Sequence, residues 1–250
     1  MDLSIEPLHC GTLRAGRSMF EVGGTDASVD LPVPAWLIRH GDDLALFDCG
    51  MHANLVASGP EREVAELFFD LELKDEDLIA ARLMASGVDP EDLDIVILSH
   101  LHFDHVGGLA QLPNARVLVQ RDEWVAGFDA DLGVANGFNP VDFDLGHDVV
   151  QVDGEHDVFG DGRVTCIPTP GHTPGHQSLR VRLADREIVL CADCAYFSET
   201  LDGGPLAPLS HDHDQQHRSL ARLRDLRAGG ATLIPGHDAT VYASLPGILD

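Results

Sequence analysis

The segment Ser99-His100-Leu101-His102-Phe103-Asp104-His105-Val106-Gly107-Gly108 places four metal-competent side chains within six residues. His100 and His102 alternate, so at the end of an extended strand both can face one metal ion. Asp104 and His105 follow in a turn and can address a second ion nearby. Imidazole and carboxylate donors together suit Zn²⁺, with Fe²⁺ or Mn²⁺ also compatible. A lone histidine is commonly structural, but packing has no use for four such groups at this spacing. Gly107 and Gly108 are expected to let the chain turn sharply into the next element.

A full ligand set needs donors from elsewhere, and three candidates each sit in a turn after a β-rich run. His172 lies in Thr169-Pro-Gly-His-Thr-Pro-Gly-His176, where prolines and glycines fix a tight loop. Asp193 closes the apolar run Ile188-Val-Leu-Cys-Ala192, and His237 lies in Ile234-Pro-Gly-His-Asp238. The histidines of the Ser210-His-Asp-His-Asp-Gln-Gln-His217 cluster (His211, His213 and His217) are read as a solvated face where a loop enters a helix.

The elements that must position these groups follow from apolar patterning. Residues 35–40 and 44–48 read as strands around the polar turn Gly41-Asp42-Asp43. Residues 61–73 and 75–86 read as helices, the second with Asp75 as N-cap and Gly87 just past its end. The β-branched run 94–99 is a buried strand leading straight into the histidine cluster. A strand at Ala115–Gln120, a helical start at Arg121–Gly127 and a loop to about residue 147 follow. Strands are expected near Val164–Pro168, Ser178–Leu183, Glu187–Ala192 and Thr232–Ile234, with a helix near Gln215–Ala228. No composition break marks a linker, so residues 1–250 read as one domain.

The totals narrow the class. With 42 Asp+Glu against 16 Lys+Arg the formal net charge is −26, and Lys74 is the only lysine. Such a chain repels phosphate backbones and anionic membranes, which argues against nucleic-acid and membrane partners. No apolar run approaches the roughly 20 residues of a bilayer span. The start MDLSIEPLHC lacks the pattern of a secretion signal, so a cytoplasmic protein is expected. The five cysteines form no disulfide framework by count or context.

The set His100-x-His102-x-Asp104-His105, with His172, Asp193 and His237 downstream, resembles the motifs of the metallo-β-lactamase superfamily. The phrases SHLHFDHVGG, VLVQRDEW and TPGHTPGHQSL, the Leu31-Pro-Val-Pro34 segment, the Asp48-Cys-Gly50 turn and the Asp193-to-Tyr196 spacing are most similar to the N-acyl homoserine lactonases. The resemblance implies an α/β (α+β) fold, a four-layer αββα sandwich. It implies His100, His102 and His172 on one zinc, Asp104, His105 and His237 on the other, and Asp193 bridging them. His176 is then surplus to the ligand count and reads as a packing or hydrogen-bonding neighbour. Cys49 and Cys194 depart from the usual pattern of small residues in this group.

The chemistry implied is ring opening of an acyl homoserine lactone by a hydroxide bridging the two ions. Tyr196 would reach the substrate and stabilise the oxyanion, and Asp104 would carry a proton to the leaving alkoxide. Met19, Phe20, Phe68 and Phe69 are candidate walls for the acyl chain. Alternatives are another lactone of the 4-pyridoxolactone or γ-butyrolactone type, a glyoxalase II-like thioester, or a metal-binding sensor without turnover. The expected partner is a small-molecule lactone, and a homodimer is the expected oligomer.

Overall fold

The computed structural model describes residues 2–250. Seven strands form one sheet: β1 (Leu3–Gly16), β2 (Ser28–His40), β3 (Asp43–Phe47), β4 (Asp70–Glu72), β5 (Ile95–Ile97), β6 (Arg116–Gln120) and β7 (Val149–Val152), in the order β4-β1-β2-β3-β5-β6-β7. Five more form a second: β8 (His156–Asp157), β9 (Val164–Pro168), β10 (Gln177–Arg182), β11 (Glu187–Leu190) and β12 (Thr232–Ile234), in the order β12-β11-β10-β9-β8. The helices are α1 (Pro60–Ala65), α2 (Ile79–Ala85), α3 (Phe103–Val106), α4 (Arg121–Phe128), α5 (Ala130–Ala135), α6 (Ser198–Leu201), α7 (His213–Ala228) and α8 (Ala239–Ser244).

The continuous apolar runs of the central strands have a simple cause: both faces of each sheet are covered. In β2, Trp36 and Ile38 point into the space between the sheets, while Ala35 and Leu37 point outward beneath α2. In β5, Ile95 and Ile97 face the second sheet and Val96 faces Ile79 and Leu83 of α2. The second sheet behaves alike: Val164, Cys166, Leu179 and Val181 face inward, and Ile167 and Val189 lie against Leu220 and Leu223 of α7. The layers therefore run helix, sheet, sheet, helix, as the resemblance implied. Strand pairs β3–β5 and β11–β12 are parallel, so their C-terminal ends emerge on a common edge of each sheet.

Several elements differ from their sequence expectation. The helix expected over 61–73 stops at Ala65, and 70–72 is instead the edge strand β4, pairing Leu71 with Leu13 of β1. A cross-strand partner outcompetes helical patterning there. Asp75 opens a short 3₁₀ turn through Asp77 and caps no longer helix; α2 begins at Ile79. Gly87, past the end of α2, does take the left-handed conformation (φ 75°). The stretch expected as loop to residue 147 contains α5, capped by the Asp129 carboxylate on the amides of Asp131 and Leu132. The strand expected to reach residue 48 ends at Phe47, leaving Asp48 in the following turn. All five cysteines are buried and unpaired, and among the described residues no helix is long and apolar enough to cross a membrane.

Candidate metal centre

Five strand ends deliver the site. Asp48 follows β3, His100 to His105 follow β5, His172 follows β9, Asp193 follows β11 and His237 follows β12. Asp48 (φ 58°) and Ala192 (φ 45°) are the non-glycine residues with positive φ among those described. Both lie at these strand ends, where the surrounding contacts must hold a backbone conformation that costs on the order of 1–3 kcal/mol. Gly107 and Gly108 serve close approach: Gly107 has an ordinary helical φ, and a Cβ on Gly108 would lie 2.0 Å from the Cys49 carbonyl oxygen. The sharp turn expected of this glycine pair is thus a packing requirement, which presses α3 against the 48–52 turn.

The seven candidate ligands converge. Nε2 of His100 and Nδ1 of His102 lie 2.9 Å apart, and Nε2 of His172 lies 3.1 Å from the same His102 nitrogen. Asp104, His105 and His237 form a second group, and in each group the ligand atoms lie within 4.8 Å of one another. Asp193 stands between the two groups. Its Oδ1 is 2.9 Å from Nε2 of His237 and 3.3 Å from Nε2 of His105. Its Oδ2 is 3.4 Å from Nε2 of His172 and 3.8 Å from Nε2 of His100. Asp104 Oδ2 reaches Nε2 of His105 at 3.6 Å and of His237 at 3.9 Å.

The outward-facing nitrogens of four of these rings are each held by an acceptor, which decides the nitrogen left for a cation. His105 donates from Nδ1 to Asp48 Oδ2 (2.8 Å), and His237 from Nδ1 to the Pro32 carbonyl (2.9 Å). His102 donates from Nε2 to the Asn136 carbonyl (2.7 Å), so it presents Nδ1 inward. His100 donates from Nδ1 to Ser99 Oγ (2.8 Å), whose hydroxyl in turn donates to Asp48 Oδ2 (2.8 Å). Asp48 therefore supports rings of both groups. Buried Nε2 of His105 finds no hydrogen-bond partner, and three imidazole nitrogens point at one another across about 3 Å. Neither arrangement is satisfied by protons alone, and divalent cations fit both sets of donors.

The electrostatics of the metal-free chain agree. Burial and the neighbouring imidazoles hold His100 well below the ordinary histidine range, and burial does the same to His172. Burial also acts to lower His105 and His237, but the carboxylates of Asp193 and Asp104 outweigh it and raise both. Burial raises the Tyr196 phenol well above its usual value, and the Asp193 and Asp104 charges add to that, so the hydroxyl keeps its proton. Burial likewise pushes the Glu123 carboxyl up to about 7, against the pull of the Gly175 and Leu101 amides.

A cavity of about 430 Å³ opens onto the centre. All four expected wall residues line it. Phe20 is buried in its wall beside Tyr196 (ring centroids 5.3 Å), Met19 and Phe69 are half-buried, and Phe68 stands 60% exposed at the rim. Tyr196 also lines it, its ring stacked 5.3 Å from that of His237. Sequence reasoning missed Leu13, Leu31, Phe103, Val134 and Leu209, which complete the apolar wall. Phe103 was findable, since it sits between two ligands of the motif; the others come from distant segments with no local signature. Among the described residues the lining holds two carboxylates, Asp104 and Asp193, three histidines, and no Lys or Arg. His176 is buried with Nδ1 on Thr169 Oγ1 (2.9 Å), beside the ligand set as a packing neighbour. In the polar histidine cluster, His213 opens α7 and bonds the Ala207 carbonyl, while His211 and His217 are exposed.

Comparison with known proteins gives a consistent picture. The family model of the metallo-beta-lactamase superfamily matches residues 29–237. The N-acyl homoserine lactonase AttM of Azorhizobium caulinodans is 33% identical over 266 aligned residues, covering 100% of this chain and 99% of that protein. The N-acyl homoserine lactonase of a Bacillus species is 30% identical over 85% of each chain. Among solved structures, an N-acyl homoserine lactone hydrolase with the product N-hexanoyl-L-homoserine bound at its catalytic metal center superposes with TM-score 0.86 at 27% identity, covering 98% of both chains.

Proposed function

Since the chain belongs to the metallo-beta-lactamase superfamily, we propose that it is a dinuclear zinc hydrolase that opens the ring of N-acyl homoserine lactones. The observation that carries the reading is the cavity: an apolar chamber free of Lys and Arg that ends on a twofold metal-competent centre. A neutral lactone with an acyl tail matches such walls, whereas the anionic body of a glutathione-like thioester or a phosphate backbone would find no Lys or Arg along them to receive it. Both halves of the chain supply ligands to each group, which supports one hydrolase domain over residues 1–250.

In this reading His100, His102 and His172 would hold one ion and Asp104, His105 and His237 the other, with Asp193, which stands between the two groups, shared by both. These residues would thereby gain, with two divalent ions bound, Lewis acidity and a hydroxide nucleophile at neutral pH. The chain's own groups do the rest. The protonated Tyr196 phenol, facing the cavity beside Asp193, donates a hydrogen bond to the carbonyl oxygen as charge develops on it. Asp104, also in the lining, is placed to take the proton of the attacking hydroxide as the ring opens and to pass it to the leaving alkoxide. Phe20, Phe69 and Phe103 exclude water from around the reacting ester, and Met19 and Phe68 continue the apolar track outward for the acyl chain.

The test is ring opening of a short-chain and a long-chain acyl homoserine lactone by the zinc-loaded protein, followed by proton release. A kcat/KM above about 10⁴ M⁻¹s⁻¹ is expected, within the usual enzymatic range. Background rates with two zinc ions bound per chain would overturn the lactone assignment and leave the metal centre standing.

A further inference from the structure

Glu123 is fully buried, yet no Lys or Arg pairs with it among the described residues. It stands in the first turn of α4, and both carboxylate oxygens are committed to backbone amides. Oε1 accepts from Leu101 N–H (3.1 Å) and Oε2 from Gly175 N–H (2.7 Å). Leu101 lies between His100 and His102, and Gly175 lies in the loop that carries His172. One side chain thus grips the two segments that supply the three-histidine group. The contact is also steric: a Cβ on Gly175 would lie 2.1 Å from the Glu123 amide nitrogen, so the loop rests directly on the start of α4.

The ring that most needs such a grip is His172. The outward nitrogens of His100, His102, His105 and His237 are each hydrogen-bonded, but Nδ1 of His172 is buried without a partner. Its orientation therefore depends on the backbone of its loop. One end of that loop is tied by His211 N–H to the His172 carbonyl (3.0 Å) and by Ser219 Oγ to the Pro170 carbonyl (2.7 Å). The Gln177 amide binds the Ser99 carbonyl (2.9 Å) farther along. Between these, Glu123 is the side chain that spans from the loop to the His100–His102 segment. Burying a carboxyl group is costly, and the site retains one where an apolar residue could pack. Two N–H donors facing one residue explain this choice, since a carboxylate alone offers an acceptor to each.

We propose that Glu123 is a positioning residue for the three-histidine end of the centre, setting the distance between the His100–His102 segment and the His172 loop. The inference rests on these histidines holding a metal ion and needs no particular substrate. Glu123→Gln keeps the size of the side chain but turns an N–H toward one of the two amides. Glu123→Asp keeps both acceptors on a stem one methylene shorter, which cannot reach both donors.

The experiment titrates the metal-free proteins with Zn²⁺ against a competing chelator and records their thermal unfolding without metal. In both variants one of the two binding steps is expected to weaken about 10- to 100-fold while the other stays within about threefold. The metal-free unfolding midpoint stays within a few degrees of the parent. Two unchanged binding steps overturn the proposal, as does a lowered metal-free midpoint with both affinities intact, the signature of a purely structural role. Hydrogen exchange on the metal-free parent chain reads the same contact without a variant. The Leu101 and Gly175 amides are expected to exchange slowly, and exchange at the rate of an open loop overturns the proposal.

Discussion

Oδ2 of Asp48 stands 2.8 Å from Nδ1 of His105, and the same oxygen accepts the Ser99 hydroxyl that supports His100. One carboxylate thereby fixes the tautomer of a ring in each half of the centre. Asp48→Asn puts an N–H where a donor now points. Metal affinity at the Asp104–His105–His237 group is expected to fall about 10- to 100-fold. Metal-to-protein ratios after dialysis against a graded chelator series check this, and a ratio equal to that of the parent throughout would count against it.

Tyr196→Phe removes a hydrogen-bond donor and nothing that could hold an ion. A loss of roughly 10²-fold in kcat is expected, with two metal ions still bound and KM changed only modestly, as for removal of one oxyanion donor. Steady-state kinetics with metal analysis on the same sample decide it. An unchanged kcat would remove Tyr196 from the reaction.

Phe68, exposed at the cavity rim, and Met19, half-buried in its wall, sit where an acyl chain would leave the site. Phe68→Ala and Met19→Ala should each lower kcat/KM for a long-chain lactone about tenfold, and that for a short-chain one by no more than about twofold. Equal losses on both substrates would show that these residues do not line the chain's path.

Acid should strip the two ions in order. A proton competes with a metal ion for the same ring nitrogen. In the metal-free chain burial lowers every ring, but the carboxylates of Asp193 and Asp104 outweigh it at His105 and His237 and raise them. His100 and His172 remain well below the ordinary range. As pH falls, protons are therefore expected to compete first at the Asp104–His105–His237 group. Metal content measured against pH should step from two ions to one before reaching none. An Asp104→Ala chain, lacking the first step, should show only the second. A single concerted loss in the parent chain would refute the ordering.

The candidate ligands are legible because each is local: a dense motif, or a polar residue in a turn directly after an apolar run. The residues that orient them were not, because their partners are remote in sequence. Asp48 meets Ser99 and His105 across 51 and 57 positions, and Glu123 meets Gly175 across 52. The buried strands β5, β9, β11 and β12 could be read from short runs dominated by apolar residues. The 14-residue β1 could not, since Pro7 and Gly11 interrupt its pattern and its pairing with β2 shifts register between His9 and Thr12. The false helix over 66–73 has the same origin: β4 exists only because β1 is beside it.

The division of ligands between the two sheets carries a consequence for how the protein is made. Each group takes two donors from the turn after β5 and two from strand ends of the other sheet, with Asp193 counted in both. A chain with only its first sheet assembled offers any ion no more than a pair of adjacent ligands. Capture must therefore wait until the sheets have closed on each other. Metal binding is thereby coupled to the docking of one sheet on the other, and ions held there would add their binding free energy to that closure.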